Sequence, residues 1–222
     1  MSRTDGVEAT PGYFTSRYRD YERQNPPRKL DHYLDVVDRL APQPAALLDI
    51  GCGRGAFLER AALRHPEWAL NGTDVSHEGI DATQARVPHA RLALASAEAK
   101  PHAEGSFDVI TAWDVVEHVE SLDDVASAVD SMLRPGGVFV FVVPVYDGVL
   151  GPLINRLDKD PTHIHKEGRA FWLNWAAQHF EVLEWHGIFR YLIGAGPYVH
   201  YPTGRLRRQA TAVLVYCRRS LR

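Results

Sequence analysis

The chain reads as an α/β protein of the Rossmann-like, doubly wound kind, with a mainly parallel seven-stranded sheet, N-terminal helices and a C-terminal loop or cap. Three observations predict this. From Ala45 onward, short apolar runs alternate with helical patterns, as in a parallel sheet whose strands are joined by helices. A glycine-rich turn, Gly51-Cys52-Gly53-Arg54-Gly55, directly follows the first of those runs. The 222 residues, 45% hydrophobic and 24% charged, suit one such domain around one core.

The elements follow in order. Residues 1–12, rich in Ser, Thr, Gly and charge, are expected to form a disordered tail ahead of a single domain over 13–222. Tyr13 to Arg23 and Lys29 to Leu40 read as helices, separated by the Asn25-Pro26-Pro27 break. In the second, Leu30, Tyr33, Leu34, Val37 and Leu40 share one helical face. Strands are expected over Ala46–Ile50, Trp68–Val75, Arg91–Ala95, Phe107–Ala112, Val138–Val145, Glu181–Arg190 and Ala210–Arg218. Helices fill Ala56–Leu63, Ser76–Arg86 with Ser76 as N-cap, Leu122–Leu133 and 168–178. Residues 146–168 and 191–209 are left as loops on the substrate side, the second marked by Gly194, Gly196, Pro197, Pro202 and Gly204.

Composition excludes several function classes. A net charge of −3 gives no electrostatic footprint for nucleic acid. The longest apolar run, Val138–Val145, is too short to cross a bilayer, and no secretory h-region opens the chain. Two cysteines, Cys52 and Cys217, make no disulfide framework, so a reducing cytoplasm is the default.

The stretch Leu47 to Gly55 carries the most chemistry. Glycines let the backbone approach a ligand closely, and the helix that follows offers free N–H donors. The next strand ends in Asp74, an acid about 20 positions on, placed as nucleoside cofactor sites place theirs on ribose hydroxyls. The loop alone leaves a nicotinamide dehydrogenase, or a tight turn with no ligand, as alternatives.

Its surroundings narrow the reading. Asp49 before the loop, the run Ser106-Phe107-Asp108-Val109-Ile110 and the turn Leu133-Arg134-Pro135-Gly136-Gly137 together resemble the class I S-adenosylmethionine-dependent methyltransferases, over about residues 45–145. The resemblance implies that Gly51, Cys52 and Gly53 line the methionine portion of the cofactor and that Asp74 binds the ribose, with Asp49 and Val75 also among the cofactor-binding residues. It puts Ala97 and Glu98 on the adenine side, and Trp113 and Asp114 beside the sulfonium, where a carboxylate is electrostatically favourable. It makes residues 13–43 a helical lid, with Tyr13 and Tyr21 folded over the cofactor; simple helix packing is the bland alternative.

Asp114-Val115-Val116-Glu117-His118 puts three metal-type side chains on one face if the segment is helical. Asp160-Pro161-Thr162-His163-Ile164-His165 follows the fifth strand and so reaches the same rim. The pair of segments resembles two metal-dependent families, the ubiquinone-biosynthesis and the small-RNA 2′-O-methyltransferases, which carry Glu-x-x-Glu-His and a later His. Counted back from Trp172, that His is His163. The expected metal set is Asp114, Glu117, His118 and His163, for Mg²⁺ or another divalent ion, with Asp114 departing from the families' first Glu. The catalytic residues are expected to be His118, His163 and His165, whichever of the last two is not a ligand serving as base. The alternative is that Glu117 and His118 merely brace the loop.

On the acceptor side, Trp172, Trp175 and Trp185 are expected to be mostly core, and Tyr198, His200 and Tyr201 to be pocket residues. Arg205, Arg207 and Arg208 read as an anion receiver or, more simply, a solvated face. The expected activity is O-methylation of a hydroxyl on a saccharide or small metabolite by a soluble chain, with a homodimer among the expected partners and neither nucleic acid nor membrane; a metal-free enzyme for a phenol, amine or carboxylate, and a cofactor-binding protein without turnover, are the competing readings.

Overall fold

The computed structural model describes residues 21–41, 45–158, 160–192 and 198–220; the expected 1–12 tail, and the expected first helix from Tyr13 up to residue 20, lie outside them. The strands are β1 Ala46–Ile50, β2 Ala69–Asp74, β3 Arg91–Leu94, β4 Phe107–Trp113, β5 Leu133–Pro144, β6 Glu181–Leu192, β7 Tyr198–Thr203 and β8 Ala212–Arg218. They form one eight-stranded sheet in the order β3-β2-β1-β4-β5-β8-β6-β7. The first five pair in parallel; β8 runs antiparallel to both β5 and β6, and β7 antiparallel to β6. The reversal of strand order between β1 and β4 opens the crevice where α/β sheets bind ligands, outside the carboxyl ends of the strands.

The helices are α1 Tyr21–Gln24, α2 Pro27–Leu40, α3 Ala56–Arg64, α4 His77–Arg86, α5 Leu122–Met132, α6 Gly151–Leu157 and α7 Arg169–His179, with a 3₁₀ turn over Val116–His118. Alternate residues of the central strands feed two apolar layers. Leu47, Val109, Val140, Val142 and Leu214 pack with Tyr33, Leu34 and Val37 of α2 and Phe57 and Leu58 of α3 on one face. Leu48, Ile110, Phe139, Phe141 and Val215 pack with Val125 and Val129 of α5 and Trp172 and Trp175 of α7 on the other. Ser76 caps α4 as predicted, its hydroxyl accepting from the Gly79 amide at 3.2 Å.

Two segments read as loops hold structure. Residues 151–157 form α6, with Pro152 in the first turn where its missing N–H costs nothing. Residues 198–203 form β7, so the sheet has eight strands and not seven. Pro202 hid this strand in the sequence; β7 lies at the sheet's edge, where a residue without an N–H is tolerated.

Candidate active site

The glycine loop leaves β1 with three residues in the left-handed region, Gly51 at φ +69°, Gly53 at +56° and Gly55 at +78°. A methyl group on Gly51 would stand 2.3 Å from Val115 Cγ2, so the loop lies directly against the turn that follows β4. The Gly53 amide donates to Asp74 Oδ2 at 2.8 Å and the Ser76 amide to Oδ1 at 2.9 Å. Burial raises the Asp74 carboxyl above the usual carboxylate range, and those amides oppose the rise. Asp49 is buried at the base of the loop, accepting from the Thr111 hydroxyl at 2.7 Å; burial pushes its carboxyl up to about 7. The Cys52 side chain turns inward toward Thr83, leaving only its backbone to face a ligand.

Tyr21 closes one side of this loop. Its hydroxyl accepts from the Ala56 amide at 3.3 Å, and its ring would lie 3.3 Å from a methyl group on Gly53. The Tyr21 contact thus falls on the glycine loop itself, while Tyr13 lies outside the described residues. Val75 is half exposed beyond Asp74, and Ala97 is buried. Glu98 accepts from the Glu120 amide at 3.1 Å and so ties its loop to the segment after the 3₁₀ turn. The Trp113 ring stacks on Tyr33 at 4.3 Å and meets Phe57 edge-on at 5.1 Å.

The turn after β4 carries the second half of the site. One carboxylate oxygen of Glu117 and one ring nitrogen each of His118 and His163 lie within 4.8 Å of one another. Glu117 is fully buried, and neither of its carboxylate oxygens has a hydrogen-bond partner among the described residues. Burial holds its carboxyl well above the usual range, and Asp114 adds to the rise. His118 Nδ1 lies 3.0 Å from the Thr162 carbonyl, and His163 Nδ1 lies 2.7 Å from Asp158 Oδ2. Those contacts make Nδ1 the protonated nitrogen of each ring and leave Nε2 as the lone-pair donor. The loop that delivers His163 is held by the Glu117 carbonyl, which accepts from the amides of Ile164 and His165 at 3.0 and 3.1 Å.

Two predicted members stand apart from this cluster. Asp114 forms an ion pair with Arg190 and lies 3.9 Å from Lys29 Nζ. Burial would raise its carboxyl, but Arg190 and Lys29 outweigh it and hold the carboxyl below the usual range. His165 turns away, its Nε2 2.9 Å from the Val119 carbonyl and its ring edge-on to Trp172; it is not placed to act as base. Of the aromatic candidates, Trp172 and Trp175 are core, Tyr201 is exposed, and His200 and Tyr198 face inward near Tyr33 and Lys29. Arg205 and Arg208 are exposed, and Arg207 stacks on Trp185 at 4.2 Å.

Sequence reading missed Asp158, Tyr146, Lys29 and Arg190. Tyr146 donates to Asp158 Oδ2 at 2.6 Å and lies 3.0 Å from His163 Nδ1, so it shares the anchor of that histidine. Asp158 carried a signal, lying five residues before His163 in an acidic, Pro-containing run. Lys29 and Arg190 carried none, because each acts through a strand or helix distant in sequence.

A family profile described as a methyltransferase domain matches residues 21–190. The chain belongs to this family. Within it, the methyltransferase is 34% identical over 151 residues to the ubiquinone biosynthesis O-methyltransferase of Sinorhizobium fredii, covering 59% of this chain and 56% of that one. It is 30% identical over 162 residues to a dimethylglycine N-methyltransferase of Parasynechococcus marenigrum, covering 68% and 55%. The chain thus spans about half the length of the curated relatives it matches. Its fold is shared with a SAM-dependent methyltransferase of Thermotoga maritima, with a TM-score of 0.69 at 14% identity over 93% of this chain and 96% of that one. Membership is of a methyltransferase domain family, and the fold is that of SAM-dependent methyltransferases. The absence of a Cβ at Gly51 and Gly53 lets Val115 and Tyr21 pack directly on the loop, whose backbone conformation at positive φ is one that favours glycine.

Proposed function

We propose that this methyltransferase transfers the methyl group to a hydroxyl oxygen of a saccharide or small metabolite, assisted by a divalent ion on Glu117, His118 and His163. The observation that carries the reading is Glu117: a buried carboxylate with no hydrogen-bond partner on either oxygen among the described residues, beside two imidazoles. A buried acid left without partners costs free energy unless something supplies them. Thr162 and Asp158 orient the two rings as outer-shell partners orient metal-binding histidines. Two imidazoles and one carboxylate suit Mn²⁺, Co²⁺ or Zn²⁺ better than Mg²⁺, which prefers oxygen ligands.

S-adenosylmethionine supplies an electrophilic methyl carbon, and a divalent ion supplies Lewis acidity toward an oxygen. The chain's own residues do the rest. Gly51 and Gly53 bring backbone against the cofactor, and Asp74 keeps lone pairs for the ribose hydroxyls beyond those its two amides use. The contact between Gly51 and Val115 puts the cofactor loop against the turn that carries Glu117 and His118, so donor and acceptor meet there. The chain's charge of −3 supports a small acceptor over nucleic acid, and no helix among the described residues is long and apolar enough to cross a membrane.

One feature favours a metal-free alternative on a phenol, amine or carboxylate. Asp158 holds His163 as a carboxylate holds a general-base histidine, and the similarity to a dimethylglycine N-methyltransferase supports an amine acceptor. Chelation separates the two. Methyl transfer from labelled S-adenosylmethionine to a panel of alcohols, sugars, phenols and amines is expected to stop in excess EDTA and to return with Mn²⁺ or Co²⁺ more than with Mg²⁺. Full activity in EDTA would remove the ion and leave His163 as base.

A further inference from the structure

A second constellation lies on the same rim, built from α2, the end of β4, β6 and β7. Asp114 sits at φ +60°, the one non-glycine residue at positive φ among those described. Aspartate tolerates that conformation better than most residues, yet it marks a backbone held for a purpose. Its carboxylate meets Arg190, with Lys29 Nζ 3.9 Å away. Asp114 keeps 30% of its side-chain surface exposed, against 15% for Arg190 and 6% for Lys29, so all three groups are largely withdrawn from solvent. The other contacts of Lys29 Nζ are neutral, the Gln24 carbonyl at 3.3 Å and Asn25 Oδ1 at 3.2 Å.

Two sequestered cations therefore share one carboxylate. Glu117 is near enough to feel Arg190, but in the proposed function its charge serves the ion. The same place is short of hydrogen bonds. Tyr33 OH, Trp113 Nε1 and both ring nitrogens of His200 are buried with no partner among the described residues. These rings form one cluster: Tyr33 stacks on Trp113 at 4.3 Å and meets His200 at 5.3 Å, while Lys29 Nζ lies 5.7 Å from the Tyr33 ring and 5.2 Å from that of Tyr198. An uncompensated cation beside unfilled donors is costly in an apolar surround, and an anionic ligand supplies what both lack.

We infer that this cluster anchors a carboxylate of the acceptor, so that the methylated molecule is a hydroxy acid. Its carboxylate binds beside Lys29 and Arg190, and its hydroxyl is turned toward Glu117, His118 and His163. The charge imbalance is a single unit, which a monocarboxylate closes and a phosphate would overshoot; the planar guanidinium matches a carboxylate as well. The inference rests on the proposed function, whose cofactor loop and rim define where the hydroxyl must lie.

Matched acids and amides test it. Mandelate against mandelamide, and glucuronate against glucuronamide, are titrated by calorimetry into the full chain loaded with S-adenosylhomocysteine, at fixed ionic strength. Charge-assisted hydrogen bonds predict that the acid of at least one pair binds about tenfold more tightly than its amide. In Lys29→Met that preference is expected to collapse, with the S-adenosylhomocysteine titration reporting that the variant is folded. Acid and amide binding alike in both pairs would overturn the inference, as would a folded Lys29→Met that keeps the preference. If that variant does not fold, the wild-type comparison decides alone. Failure to bind S-adenosylhomocysteine would instead count against the proposed function, so the two failures are distinguishable.

Discussion

Gly51 shows how much of the site depends on one missing methyl group. Its φ of +69° is open to glycine, and a Cβ there would meet Val115 Cγ2 at 2.3 Å. Gly51→Ala therefore adds left-handed strain of roughly 1–2 kcal/mol and an overpacking cost of about 1–3 kcal/mol. Because Val115 begins the turn that carries Glu117, relief by movement displaces the cofactor loop and the metal-type cluster together. Gly105→Ala is the matched control: it shares the strain, at φ +60°, but meets nothing within 4 Å. Both variants are expected to melt lower, while only Gly51→Ala loses S-adenosylhomocysteine affinity, by about tenfold or more. Equal affinities in calorimetry would show that the loop does not cradle the cofactor. At this scale the sequence was readable wherever a residue acts through its own neighbours, as Gly51, Gly53 and Asp74 do. Asp114 was misread because its partner Arg190 lies 76 positions away, beyond any local pattern.

Among the elements, α7 is positioned by its first residue. Arg169 is 8% exposed, and its guanidinium grips Asp147 with contacts of 2.8 and 3.1 Å while donating to the carbonyls of Arg207 and Ala210. It thereby ties the loop after β5, the start of α7 and the segment before β8 into one corner beside the His163 loop. Asp147 keeps 34% of its side chain exposed, so loss of the guanidinium acts mainly by stranding the buried carbonyl it serves, a cost of about 1–3 kcal/mol. For a chain of this size, Arg169→Met is then expected to lower Tm by roughly 2–12 °C. A change under about 2 °C in a thermal melt would show the corner to be held by other contacts. The helix itself was legible, but this clamp was not, since hydrogen bonds to distant carbonyls leave no periodicity. β7 and α6 were hidden for another reason: proline and glycine read as loop, although an edge strand and a first helical turn both accept proline.

For the whole molecule, the apolar alternation of β1, β4 and β5 disclosed the sheet because those strands are buried on both faces, and burial leaves its mark in composition. What the pattern hides is charge within the core, and this governs stability against pH. Burial pushes the Asp49 carboxyl up to about 7 and the His200 imidazole down to about 3. The folded state thus holds a proton on Asp49 that the unfolded chain releases near its ordinary, lower value, so this group costs stability as pH rises through that window up to about 7. His200 acts in reverse: the unfolded chain takes up a proton that the folded state refuses, so stability is lost as pH falls from the ordinary histidine range toward about 3. Between about pH 4 and 6.5 these two slopes oppose each other. Asp49→Asn removes one slope and exposes the other. Relative to wild type, the variant's stability is expected to rise steadily from pH 4 to about 7 and then level off, by roughly 3–5 kcal/mol in all. Melting curves for both proteins across that range provide the difference directly, and a difference that does not vary with pH would mean that Asp49 is ionised in the fold throughout.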